Sequence, residues 1–384
     1  MSFELSVPET IIFGKGSFAR LGQLVSGFGS RALVVHGKSP ERAHSVEELL
    51  AKSEIETCRY SVQNEPTIHD VAEGVEEARA EEVALVIGIG GGSVIDAAKA
   101  ISGLTTNSGD VLEYLEVIGR GNALTKAGLP CVAVPTTAGT GAEVTKNAVI
   151  ASPEHQIKVS LRSPFLLPRV ALVDPELTYS LPSSVTIATG LDALTQLIEP
   201  FVSVRANPAT DGLCREGIPR VARSLLRAGQ NGKDTEARED MALASLFGGL
   251  ALANAGLGTV HGFAGPIGGM FSAPHGLVCG ILLPFVMEAN IEALRQRAPG
   301  SMALSRYHEI GRLLTGSSRS IAADGLAWIK DVSQKLNVPK LSSLGIPRES
   351  IKDITAKTAI ASSTKANPIE LTLPELEAIL EAAW

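Results

Sequence analysis

One stretch constrains this chain more than any other. Residues 84–99, ALVIGIGGGSVIDAAK, run apolar, pass through three glycines and then take on helical spacing. An apolar run of this length bounded by glycine reads as a buried strand, and the residues after it as a helix. Similar runs recur at 32–37 (ALVVHG), 130–137 (PCVAVPTT) and 170–175 (VALVDP), each stopping at Gly, Pro, Asp or Thr. Helical stretches lie between them at 39–53 (SPERAHSVEELLAKS) and 69–82 (HDVAEGVEEARAEE). Strand–helix alternation with strands apolar on both faces predicts an open parallel sheet covered by helices.

From about Pro182 the pattern changes. Seven stretches carry helical periodicity, starting with SSVTIATGLDALTQLIEPFVS and ending with LPELEAILEAAW, and none reads as a strand. The chain, 384 residues long, exceeds one ordinary core. The expected organisation is therefore an α/β dinucleotide-binding domain with a parallel sheet over 1–180 and an all-α domain over 181–384. The Pro-bracketed DPELTYSLPSS (174–184) marks the boundary.

Net charge of −7 and the lack of a Lys/Arg cluster argue against nucleic acid as a partner, and 4% aromatics argue against base stacking. No uninterrupted apolar run approaches 18 residues, so no membrane segment is expected, and the first residues lack a basic, apolar leader. Cys58, Cys131, Cys214 and Cys279 have no metal or disulfide spacing; they read as free, mostly buried thiols in a reducing cytoplasm.

Gly90, Gly91 and Gly92 allow a tight turn that aims backbone N–H groups at an anion, and the helix start adds partial positive charge. Ser93 is expected to cap that helix and to donate to a phosphate. PTTAGTGAE (135–143) is a second such loop, with Thr136, Thr137 and Thr140 beside Gly141. Two such loops at neighbouring strand ends favour one ligand across both; a plain polar turn is the alternative. After the first strand, Gly37 and Ser39 occupy the ribose-reading position. No acid stands there to hold a 2′-hydroxyl, and Lys38 and Arg42 lie close enough in sequence to meet a 2′-phosphate. That tilts the reading from NAD toward NADP, unless these are solvated surface charges.

In TGLDALTQLIE (189–199), Asp192 and Gln196 share one helix face. An acid in an apolar turn needs a partner or a metal, unless it is a charge at a helix start. GLGTVHGFAGPIGGMFSAPHG (256–276) holds His261 and His275 among small residues. They are either hydrogen-bonded core histidines or, with Asp192, a three-ligand O,N,N metal site with an open position.

GGGSVIDAAK, PTTAGTGAEVT, VDPELTYSLP, TGLDALTQLIEP, TVHGFAGPIGGMFSAPHG and KANPIELTLPEL, in this order, resemble the iron-containing (group III) alcohol dehydrogenases over the whole chain. The resemblance implies an NAD(P)-dependent oxidoreductase acting on a small alcohol, aldehyde or ketone in the cleft between its domains, and a homodimer or larger homo-oligomer. It places the pyrophosphate at Gly90, Gly91, Gly92, Ser93 and Asp96. The second nucleotide loop is Thr136, Thr137, Thr140 and Gly141, with Asn147 and Lys158 toward the nicotinamide. It implies a divalent metal, iron or zinc, on Asp192, Gln196, His261 and His275. The chain departs from the family at two positions, for Gln196 and Gly265 stand where relatives carry histidine. A carboxamide is a poor ligand for Fe²⁺ or Zn²⁺. The expectation is therefore an alcohol dehydrogenase or aldehyde/ketone reductase with an altered metal site. If metal-independent, it would rely on His261, His275 or Lys158 as proton donor. A maleylacetate reductase-like keto-acid reductase and a nucleotide-binding protein without catalysis are the alternatives. Dehydroquinate synthase chemistry lacks the cationic cluster it would need.

Overall fold

The computed structural model describes residues 2–155 and 157–384. The chain divides into two compact units. One contains Ser6–Thr137 and Gly141–Tyr179. The other contains Ser180–Trp384 with Ala138–Thr140 and the N-terminal residues up to Leu5.

The first unit is built on a six-stranded parallel sheet. Its strands are β1 (Thr10–Phe13), β2 (Arg31–His36), β3 (Glu56–Ser61), β4 (Leu85–Gly90), β5 (Cys131–Pro135) and β8 (Val170–Val173). Their order is β1-β8-β5-β4-β2-β3. An antiparallel pair, β6 (Asn147–Ser152) and β7 (Ile157–Arg162), stands apart. The helices of this unit are α1 (Leu21–Val25), α2 (Pro40–Ala51), α3 (Ile68–Ala80), α4 (Gly92–Thr105) and α5 (Val111–Tyr114). The expected α/β sheet architecture is present. Of the sheet strands, β1 and β3 were not legible in sequence. β3, ETCRYS, is half-exposed at the sheet edge and lacks the apolar run that marks the central strands.

Strand alternation builds the core. Leu33, Val35 and Val86 point to one face with α3 and α4, while Val34, Leu85, Ile87 and Ile89 point to the other with α1 and α2. On β4 the face toward α4 carries Gly88 and Gly90 after Val86. A Cβ at position 90 would lie 2.6 Å from Val94, so only glycine lets α4 press this closely on the sheet. The chain steps from β2 outward to β3, then returns across β2 to β4 and on to β5. The sheet therefore reverses direction between β2 and β4, where ligands of such folds bind beyond the carboxyl ends of the strands.

The second unit is helical: α6 (Ser183–Val202), α7 (Pro208–Gln230), α8 (Thr235–Ala255), α9 (Thr259–Met270), α10 (His275–Arg297), α11 (Met302–Thr315), α12 (Ala322–Lys335), α13 (Ile351–Ile360) and α14 (Leu373–Ala383). The α7 start is fixed by a reciprocal cap between Asn207 and Thr210, and the α14 start by Thr372 and Glu375. α10 has the length and apolar composition of a membrane-crossing helix. Seventy-two percent of its most apolar window is buried within the fold, as in the central helix of a bundle.

Candidate active site

Position 90 ends β4, and Gly91, in extended backbone, takes the N-cap of α4. Ser93 is therefore inside the first helical turn and does not cap it, contrary to expectation. No side chain caps α4, so backbone N–H groups of its first turn keep their donors for an anion. Thr137 is adjacent, within 3.4 Å of where a Cβ on Gly91 would lie. Gly141 has left-handed backbone (φ 58°) and turns the second loop into a short 3-10 segment, Ala142–Val144.

Asp96 and Lys99 tie this second loop to α4. The buried Lys99 ammonium donates to Ala142 O (2.9 Å), Thr145 Oγ1 (2.9 Å) and Asn147 O. It also pairs with Asp96 Oδ1 at 2.8 Å, while Asp96 Oδ2 accepts from Val149 N. Burial pushes the Asp96 pKa up against the pull of Lys99. Both Asp96 oxygens are thus engaged within the protein. At the end of β2, Gly37 O lies 2.7 Å from His36 Nδ1, and Ser39 begins α2 ahead of Pro40. The half-buried Arg42 guanidinium donates to Thr136 Oγ1, linking the loop after β2 to the loop after β5. Lys158, on β7, pairs with Glu65 at 3.3 Å. Thr140 belongs to the short segment that groups with the helical unit.

The helical unit brings the acid and both histidines together. Asp192 lies midway along α6, 1% exposed, and so cannot be a charge at a helix start. His261 is in the first turn of α9, and His275 is the first residue of α10. His261 Nε2 is 3.3 Å and His275 Nε2 3.9 Å from Asp192 Oδ1, and the two rings are 5.5 Å apart. Gly276 permits this approach: a Cβ there would meet Ala188 O at 2.3 Å and Asp192 Cβ at 3.2 Å.

Two further residues complete the cluster, and sequence reasoning missed both. Glu199 Oε2 lies 2.6 Å from His261 Nδ1, and its Oε1 accepts from Val260 N at 2.7 Å. One carboxylate thus caps the start of α9 and orients the imidazole that α9 carries. Cys279 Sγ is 3.7 Å from His275 Nε2. Asp192, His261, His275 and Cys279 each offer a ligand atom, all within 4.8 Å of one another. The signal lay in helical spacing: Glu199 is two turns beyond Asp192, and Cys279 is one turn beyond His275.

Gln196, 3% exposed, hydrogen-bonds to Asp192, but its Oε1 has no partner. A Cβ at Gly265 would meet nothing within 4 Å, so the place of the missing histidine is open space.

Burial opposes a charge on His261, yet Cys279, Glu199 and Asp192 outweigh it and hold its pKa well above the ordinary range. For His275, burial is again outweighed by Cys279 and Asp192, and the pKa rises to about 9. Burial pushes Asp192 up, but His261, His275 and Gln196 bring it below the usual carboxylate range. With Glu199 on Nδ1, His261 Nε2 points at a carboxylate oxygen. The raised pKa puts a proton on that line in the metal-free cluster, and a divalent metal can take the proton's place. The donor set of one carboxylate, two imidazoles and a thiol therefore fits a divalent metal.

Comparison with known proteins shows the family. Residues 8–175 match the model of the iron-containing alcohol dehydrogenase family, and 186–384 match that family's C-terminal model. Alcohol dehydrogenase 4 of Saccharomyces cerevisiae is 33% identical over 383 residues, covering 99% of this chain and 95% of the yeast protein. A crystal structure of a 1,3-propanediol oxidoreductase superposes with a TM-score of 0.93 at 31% identity, covering both chains completely. Sulfoacetaldehyde reductase from Bifidobacterium kashiwanohense, solved in complex with NAD+, superposes with a TM-score of 0.87 at 28% identity. That match covers 100% of this chain and 99% of the reductase. The chain belongs to the iron-containing alcohol dehydrogenase family.

Proposed function

We propose that this family member is an NAD(P)-dependent oxidoreductase that moves a hydride between nicotinamide C4 and the carbinol or carbonyl carbon of a small alcohol, aldehyde or ketone. The observation that carries this reading is the buried Asp192–His261–His275 cluster, whose ligand atoms lie within 4.8 Å of one another. Asp192, His261 and His275 would hold the metal. The chemistry such an ion supplies is Lewis acidity toward the substrate oxygen.

The chain's own groups do the rest. The first turn of α4 binds the pyrophosphate through Gly91, Gly92 and Ser93, helped by the helix dipole. Thr136, Thr137, Thr140 and Gly141 line the second loop, and Lys99 and Asp96 hold it in place. Gly37 and Ser39 flank the ribose, and the absence of an acid at 37 admits NADP beside NAD. Asn147 and Lys158 border the nicotinamide end, with Lys158 neutralised by Glu65. Gln196 holds Asp192 and presents a free acceptor to a hydroxyl-bearing substrate. Glu199 keeps the His261 proton on Nδ1.

A panel of alcohols, aldehydes and ketones with NAD+, NADH, NADP+ and NADPH, each with Zn²⁺, Fe²⁺ or chelator, tests the reading. Nucleotide binding without turnover of any substrate would reject it; full activity after metal removal would reject the metal alone. We further propose a homodimer or larger assembly in a reducing cytoplasm, consistent with four free cysteines. Light scattering tests the assembly.

A further inference from the structure

We propose that Cys279 is the fourth protein ligand of the metal held by Asp192, His261 and His275, and that its sulfur makes the centre a zinc site. This rests on the metal reading above.

The distances approach those of a coordination shell, with the His275–Asp192 edge longer by about 0.6 Å. A tetrahedral zinc, with bonds of about 2.0–2.1 Å to N or O and about 2.3 Å to S, has N···O edges of about 3.3 Å and S···N edges of about 3.6 Å. The corresponding separations are 3.3 and 3.9 Å from the imidazoles to Asp192, and 3.7 Å from Cys279 Sγ to His275 Nε2. Cys279 is fully buried, so its sulfur faces this cluster without contact with solvent.

A second observation removes the competing ligand. Gln196 occupies the place one turn beyond Asp192, but its amide hydrogen-bonds to the Asp192 carboxylate and its oxygen is a weak, neutral donor. A thiolate is a far stronger ligand for zinc, and a softer one than iron(II) prefers. Sulfur and carboxylate together bring two negative charges to the ion. Loading releases to solvent any protons on the thiol and on the two imidazole Nε2 atoms. Nothing is oxidised or reduced.

The test uses the full-length protein, stripped by chelator and reloaded with cobalt(II) under reducing, anaerobic conditions. The expected result is a sulfur-to-cobalt charge-transfer band in the near ultraviolet. It should vanish in Cys279→Ser while visible ligand-field bands remain. X-ray absorption on the zinc-loaded parent needs no variant and should show one sulfur at about 2.3 Å. Competition between Zn²⁺ and Fe²⁺ should favour zinc at least about tenfold less in Cys279→Ser. Cobalt bound without the band, a band surviving the substitution, or a zinc shell of nitrogen and oxygen alone would overturn the proposal. Failure to bind either metal would overturn it too. Alcohol turnover measured on the same samples separates the two readings, because turnover by metal-free protein leaves hydride transfer standing and removes the cysteine ligand.

Discussion

The nucleotide loops and the acid–histidine cluster are built from different atoms. At the loops, the groups proposed to bind nucleotide are backbone N–H donors at the start of α4, left without a side-chain cap. Side chains there, Lys99 and Asp96 above all, hold the scaffold. In the cluster the binding groups are side chains from α6, α9 and α10, and backbone serves only to carry them. A site made of backbone tolerates change in side chains but not in glycine. A site made of buried side chains fails when one charge is removed. The two regions should therefore break in different ways.

The largest effect is expected from Asp192→Asn, which removes the charge that both imidazoles face. Metal content should fall to background and turnover by more than about 100-fold, beyond the range typical of outer-shell partners. Elemental analysis and steady-state kinetics check this; full metal occupancy with normal turnover would erase the contrast between the regions.

Glu199→Gln should cost roughly 10–100-fold in metal affinity. The amide can still cap α9 through its oxygen, but its N–H₂ faces His261 Nδ1 and forces the imidazole proton onto Nε2, toward Asp192. Metal titration should show the loss while circular dichroism stays unchanged.

Gly90→Ala tests the other region. The added methyl meets Val94, forces α4 away from β4 and should raise the KM for dinucleotide about tenfold, with kcat changed less. Equal loss in both constants would mean that the loop also shapes the reacting centre.

The smallest effect concerns the second loop's scaffold. Burial lifts the Glu143 carboxyl to about 7. Between the ordinary carboxylate value and about 7, the unfolded chain loses this proton before the folded one does. Stability contributed by Glu143 therefore falls as pH rises through that window and is flat above it. Glu143→Gln should remove this slope and stabilise the protein by about 1–3 kcal/mol above pH ~7, read by thermal unfolding across pH.

The residues themselves determined much of this protein. Apolar runs stopping at Gly, Pro, Asp or Thr mark β2, β4, β5 and β8, because a strand buried on both faces has no room for polar residues. The glycines before Ser93 mark the tight turn from β4 into α4, since a Cβ at position 90 would meet Val94. Asp192, His261 and His275 were legible as candidate ligands from residue type alone. The tertiary structure decided the rest. β3 and the β6–β7 pair are half-exposed and carry no continuous apolar run, so pattern could not find them. Gly91, not Ser93, caps α4, which depends on backbone angles that residue identity does not set. Glu199 and Cys279 looked like an ordinary helix acid and an ordinary buried thiol. Their meaning comes from helix packing that sets α6, α9 and α10 side by side, bringing residues 60 to 90 positions apart into one buried cluster. Local spacing encodes which side chains share a helix face, but only packing decides what that face meets.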